Sequence, residues 1–236
     1  MSAPATRADA GATAGLLFSQ MQPPAGGDLA DFHDWYESEH IPARMAIPGF
    51  EQAVRYELAT QEGGPETARW LACYFLDDVA ALETPEYLRL KADPGERTAR
   101  MLASVDLFTR YICDQLSDTG RADEQPHALL AIAFAVPGHD EDEFNGWYEE
   151  EHVPLLMQVP GWLRVRRYKV RPGSAGPPWT HIALHELRSE EALSRPERAA
   201  ARDTPRRDAL AKRDWFDSGR WVYRPIHSAA PAATTA

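Results

Sequence analysis

Cysteine is scarce in this chain: there are two in 236 residues, Cys73 and Cys113. Both lie in apolar, strand-like segments and make no metal-ligand spacing. That excludes a disulfide framework and a cysteine-based metal centre, and leaves two buried, reduced thiols. Long apolar runs are also missing; none approaches the roughly 18 residues of a bilayer-spanning helix. Basic charge is in deficit, with 25 Lys and Arg against 36 Asp and Glu and a net charge of −11. Nucleic acids and anionic membranes need a basic footprint, so neither is an expected partner. The one locally basic stretch, Arg195 to Arg213, is interleaved with Glu197, Asp203 and Asp208 and reads as a solvated helix face. There is no Gly-rich phosphate cradle and no Gly-x-Ser-x-Gly elbow. The first residues lack the basic region and apolar core of a secretory signal, so a cytoplasmic chain with a disordered tail over 1–13 is expected.

What is present is a repeat. Phe32-His-Asp-Trp-Tyr-Glu-Ser-Glu-His-Ile-Pro, followed by Pro48-Gly49-Phe50, returns 112 residues later. The second version is Phe144-Asn-Gly-Trp-Tyr-Glu-Glu-Glu-His-Val-Pro, followed by Pro160-Gly161-Trp162. Ten of nineteen positions are identical without a gap. Solenoid units repeat every 20–50 residues or so, far shorter than this period, so the pattern marks a duplicated small domain. The copies are placed at 14–116 and 127–226, with a polar linker at 117–126 and a tail at 227–236.

Each copy reads β-α-β-β-α-β. Leu130, Ile132, Phe134 and Val136 alternate with small residues, which marks a strand. Asp28 is a plausible N-cap, Asp140 with Glu143 has the form of a capping box, and the prolines at 42 and 154 are expected to end the first helices. The order β-α-β-β-α-β is the ferredoxin-like split arrangement, with both helices on one face of an antiparallel sheet. The other face needs cover, which the second copy can supply. The expected class is therefore α+β: two tandem ferredoxin-like βαββαβ repeats packed sheet-to-sheet as a pseudo-dimeric α+β barrel.

The candidate chemistry sits on the repeated helix. Phe32, Tyr36 and His40 fall at i, i+4, i+8, as do Phe144, Tyr148 and His152, so each stripe faces the sheet. His40 and His152 are then expected at a helix C-terminus. The helix dipole and the adjacent Glu39 or Glu151 would raise the imidazole pKa from about 6.5, and burial would lower it. A histidine so balanced can exchange a proton near neutral pH; the alternative is a histidine that caps its own helix. Arg55-Tyr56 and Arg167-Tyr168 follow on the next strand. Tyr56 or Tyr168 beside its histidine would supply a hydroxyl to an oxyanion. On the third strands Trp70, Ala72 and Tyr74 become His181, Ala183 and His185. Two histidines four apart on a strand stand roughly 13 Å apart, too far to chelate one metal, and no metal site is expected.

Together the helix-His-x-Pro, Pro-Gly-aromatic and Arg-Tyr segments resemble the dimeric α+β barrel proteins, in particular the EthD-type group and its methylmuconolactone-isomerase relatives. The resemblance covers roughly 16–113 and 129–223. It implies active-site roles for His40 and Tyr56, and for His152 and Tyr168. Trp35, Tyr36, Tyr74, Trp147, Tyr148 and His185 would line substrate pockets. It further implies a cofactor-independent lyase or isomerase (cyclase, dehydratase or decarboxylase type) acting on a small cyclic, aromatic or polyketide-derived molecule. The superfamily also offers a cofactor-free monooxygenase, or a non-catalytic ligand-binding or stress-response protein. Its haem binders need a proximal ligand that cannot be assigned here, so no cofactor is expected. The fused form would be a pseudo-dimer within one chain, as a monomer or a homodimer.

Overall fold

The computed structural model describes residues 14–121 and 124–231. Copy one runs β1 (Gly15–Gln22), α1 (Leu29–Trp35) and α2 (Ile41–Met45), β2 (Phe50–Glu62), β3 (Trp70–Leu76), α3 (Pro85–Ala92), α4 (Glu96–Ser104) and β4 (Asp106–Gly120). Copy two runs β5 (Ala128–Phe134), α5 (Glu141–Trp147) and α6 (Val153–Leu156), β6 (Trp162–Val170), β7 (His181–Leu187), α7 (Arg198–Arg202), α8 (Pro205–Leu210) and β8 (Gly219–Ala229). The eight strands close into one antiparallel barrel in the order β1-β3-β2-β8-β5-β7-β6-β4. Each copy thus keeps the ferredoxin-like order 4-1-3-2, and the expected fold class stands. Among the described residues, no helix is long and apolar enough to cross a membrane.

Strand alternation sorts the side chains into three apolar layers. One packs the copy-one helices on the sheet through Phe32, Trp35, Tyr36, Trp70 and Tyr74. Another does so in copy two through Phe144, Trp147, Tyr148, Trp162 and Phe216. The third fills the barrel lumen with Phe18, Tyr56, Cys73, Cys113, Tyr168 and Tyr223. Both cysteines are buried and free.

The seams correct the expected boundaries. Residues 117–120, read as linker, belong to β4: Ser117 to Gly120 pair with Arg164 to Arg167 of β6. Thr60 to Glu62 extend β2 against Arg220 to Val222. Residues 227–229, read as tail, extend β8, and Ala53, Val54 and Arg55 pair with Ala229, Ser228 and His227. An open sheet edge leaves backbone donors and acceptors unpaired, and these polar extensions pair them across the two copies. The expected disorder at 1–13, the linker residues 122–123 and the tail residues 232–236 lie outside the described residues.

The repeated helix does not stop at its proline. A π-turn spans Tyr36–His40, and Ile41 N–H donates to Tyr36 O before α2 continues. Tyr148–His152 does the same in copy two. The widened turn relieves the clash of a proline ring with the preceding turn, so the chain carries Pro42 and Pro154 without breaking. Asp28 caps α1 by accepting from Asp31 N–H at 3.0 Å. The capping box does not form. Asp140 instead accepts from Trp215 Nε1 (2.6 Å) and Arg213 Nη1 (3.2 Å), and Glu143 accepts from the same arginine.

Candidate active site

The π-turns place His40 and His152 in the middle of a helical segment, buried between helix and sheet. Tyr36 lies edge-on to His40 with ring centroids 4.9 Å apart, and Trp35 lies 4.5 Å away. In copy two Trp147 stacks on His152 at 4.5 Å and 27°, with Tyr148 edge-on at 5.0 Å. The helix-end dipole expected to raise these pKa values is therefore absent, and burial wins. His40 falls well below 6.5 through burial, then through Arg44 and Arg55. Burial, aided by Arg207, Arg198 and Arg220, pushes His152 down to about 4, against a smaller opposing effect from its bond to Ala201. Both imidazoles are neutral at pH 7.

The strand tyrosines do not join them. Tyr56 and Tyr168 point into the lumen, on the far side of the sheet from the histidines, and among the described residues the Tyr168 hydroxyl has no partner there. The preceding arginines face the helix instead. Arg55 stacks on Tyr36 at 4.3 Å and pairs with Glu37 at 2.7 Å. Arg167 stacks on Tyr148 at 4.3 Å and pairs with Glu149 at 2.5 Å. The repeated Tyr-Glu thus clasps the arginine of the next strand, a role for both residues that sequence reasoning missed.

Below the helix in copy two lies a polar chain. Trp162 Nε1–H donates to His185 Nδ1 at 3.2 Å, and His185 Nε2 lies 3.2 Å from the Tyr148 hydroxyl. His152 Nδ1 lies 2.9 Å from Ala201 O. These side chains line a cleft with Trp147, Phe134 and Phe216, fenced by Arg198, Arg202, Arg207 and Arg220. The cleft is narrow, about 30 Å³. The copy-one cavity is larger, about 190 Å³, and is lined by Glu39, His40, Arg44, Tyr87, Lys91 and Thr98.

Residues 136–212 match the EthD domain family. No curated protein matches the chain. Among solved structures, an anthrone oxidase-like protein is similar at 12% identity and TM-score 0.67, covering 96% of this chain and 97% of its own. A protein named as a monooxygenase from Fusobacterium nucleatum subsp. nucleatum is similar at 8% identity and TM-score 0.58, covering 93% and 95%. A mutant chlorite dismutase from Candidatus Nitrospira defluvii is similar at 11% identity and TM-score 0.56, covering 92% of each chain. These likenesses show the fold: the chain is an α+β barrel of two ferredoxin-like repeats.

The two halves of this α+β barrel have diverged beneath a common frame. Copy one has Tyr74 where copy two has His185, and Phe50 where copy two has Trp162. Among the described residues, the Tyr74 hydroxyl and His40 Nδ1 are both buried without a partner. The EthD match, the polar chain and the anchored histidine all fall in copy two. His181, at the far end of β7, lies 3.5 Å from Glu141 and takes no part in the cleft. Among the described residues, no three histidine, cysteine or acidic side chains gather as a metal ion would require.

Proposed function

We propose that this chain is a cofactor-independent enzyme whose reaction centre is the copy-two cleft. His152 takes a proton from carbon beside a carbonyl, and Tyr148 donates to the enolate oxygen that forms. The order of the hydrogen bonds carries this reading. An indole N–H only donates, so His185 accepts at Nδ1 and carries its proton on Nε2. That proton is directed at the oxygen of Tyr148, which leaves the tyrosine O–H free for a ligand. A carbonyl only accepts, so His152 carries its proton on Nδ1, bonded to Ala201 O, and keeps the Nε2 lone pair. A base and a donor thus meet at one cleft, each with its tautomer set by a neighbour.

The burial that holds His152 neutral is offset as the enolate forms, because a negative charge beside the imidazole favours its protonated state. The proton then returns to another carbon, which is isomerisation, or a leaving group departs from the neighbouring carbon, which is elimination. Aromatic walls suit a small cyclic, aromatic or polyketide-derived substrate, which enters by displacing the half-exposed arginine side chains of the fence. The names of the similar structures favour a second outcome, in which the same carbanion reacts with oxygen in a cofactor-free oxygenation.

Anthrone, whose acidic C–H is conjugated to a carbonyl, tests both outcomes. Under anaerobic conditions in D2O the protein is expected to accelerate deuterium incorporation at that carbon, and His152→Ala is expected to abolish the effect. Equal exchange by wild type and His152→Ala would refute the role of His152. Oxygen uptake in air, dependent on His152, would select the oxygenase outcome.

A further inference from the structure

The arginine stretch read from sequence as a solvated helix face is not one throughout. The fold gathers Arg198, Arg202 and Arg207 with Arg220 of β8 around the mouth of the copy-two cleft. Their neighbours are paired: Arg206 with Glu150, and Arg213 with Asp140 and Glu143. Among the described residues, none of the four has a carboxylate within 4.0 Å. Their bonds are to neutral oxygens only. Arg198 donates to Leu193 O at 2.7 Å, Arg207 to Arg202 O at 3.2 Å and Arg220 to Ser218 Oγ at 3.0 Å. In a chain of net charge −11, four arginines around one opening with no carboxylate in ion-pair contact are not a by-product of composition. Arg198 and Arg207 are both held below the usual arginine range, first by burial and then by Arg202 and Arg220, against smaller opposing effects of Glu62 on Arg198 and of Asp208 and Asp203 on Arg207. Like charges gathered this way repel one another unless an anion sits between them.

A second observation is independent of charge. Trp147 lines the same cleft, and its buried Nε1 has no acceptor among the described residues. Its copy-one counterpart, Trp35 Nε1, donates to Thr98 Oγ1 at 3.0 Å. A buried donor left without an acceptor is destabilising, so this one calls for an acceptor from outside the chain. Copy one shows the contrast at its own cavity, where Glu39 sits with Arg44 and Lys91 and the charges are mixed.

We infer that the copy-two cleft takes an anionic ligand, a cyclic or aromatic carboxylate whose charged group lies among Arg198, Arg202, Arg207 and Arg220. Guanidinium forks match a planar carboxylate, and the ring lies against Trp147, Phe134 and Phe216. The assignment names the substrate class of the proposed reaction centre and so rests on that reading, but its test needs no turnover.

Calorimetric titration of the full chain with benzoate, benzamide and inorganic phosphate separates charge from shape. Benzoate is expected to bind one per chain, benzamide at least tenfold more weakly, and phosphate more weakly than benzoate because it has no ring to stack. Arg202→Gln and Arg220→Gln are each expected to weaken benzoate fivefold or more and leave benzamide unchanged. Arg202 is exposed, so its variant keeps the fold, which circular dichroism checks. Equal affinity for benzoate and benzamide, phosphate binding as tightly as benzoate, no saturable benzoate binding, or benzoate affinity unchanged in both variants overturns the assignment. His152→Ala keeps the two readings apart. Benzoate affinity retained in that variant supports the anion site whether or not deuterium exchange survives.

Discussion

Acidification should destabilise this protein through His152, and the sign of the effect tests the structural reading. In the folded chain the imidazole stacks on Trp147 and sits beside Arg198, Arg207 and Arg220; its pKa is pushed down to about 4 from 6.5. Above pH 6.5 both folded and unfolded states hold it neutral, and it contributes no pH dependence. As pH falls below 6.5 the unfolded chain takes up a proton that the folded chain refuses, so stability is lost until the folded group titrates near 4. At about 1.4 kcal/mol per pKa unit the full loss is about 3 kcal/mol, of which about 2 kcal/mol is gone by pH 5. Domains of this size are stable by only about 5–15 kcal/mol, so the loss is measurable. Urea unfolding of wild type and His152→Gln at intervals between pH 7.5 and 5 isolates it, because Gln can keep a donor to Ala201 O but cannot titrate. The depressed histidines whose shifts do not involve His152, namely His33, His40 and His181, give both proteins a common slope. Wild type should fall more steeply by about 2 kcal/mol over the interval. Parallel slopes, or a wild type that gains stability on acidification as a helix-end histidine of raised pKa would, refute the reasoning.

Two further substitutions separate the halves of the argument. Tyr148→Phe should lower kcat by roughly 10²–10³, the cost of a lost oxyanion donor, whereas Tyr168→Phe should leave kcat within about twofold and hold or raise the melting temperature, since its buried hydroxyl is unpartnered. Reversal of that order in steady-state assays would return the catalytic role to the strand tyrosine. In the lumen, Arg166 pairs with Glu186 while its guanidinium lies 3.7 Å over Phe75. Arg166→Met alone should cost roughly 3–5 kcal/mol by stranding the carboxylate, and Arg166→Met with Glu186→Leu should recover most of that, as urea midpoints would show.

The duplication and the order of elements were legible because hydrophobic pattern, proline and glycine act locally. The Pro-Gly turns, for instance, need the positive φ that Gly49 (93°) and Gly161 (89°) adopt. The pairing of histidine with Tyr56 and Tyr168 failed for a specific reason. Counting alternate positions from Phe50 puts Val54 and Tyr56 on the helix face, but the register shifts between Phe50 and Gln52, and again between Trp162 and Arg164. One extra residue turns every later side chain over, so Arg55 and Arg167 face the helix instead. Tyr148 and His185 stand out as pocket residues, but their order in a chain of donors depends on Trp162, which reads only as the aromatic that follows the Pro-Gly turn. The π-turns went unseen because a proline at that spacing normally ends a helix. The arginine fence was missed because Arg220 is contributed by a strand that sequence places after the helices it faces.

The seam between β2 and β8 has a consequence for how the chain reaches its native state. Residues 53–62 pair with residues 220–229, and Gln20 donates to the Tyr223 hydroxyl across 203 positions of sequence. A ribosome therefore releases copy one with its β2 edge still bare, and the barrel cannot shut until the last strand has emerged. Contacts this remote are slow to form, and an exposed strand edge in the interval invites pairing with another molecule. Truncation after β4 should leave an assembly-prone half rather than a small working domain, and the eleven residues of β8 act as the latch that commits the nascent chain to a single closed molecule.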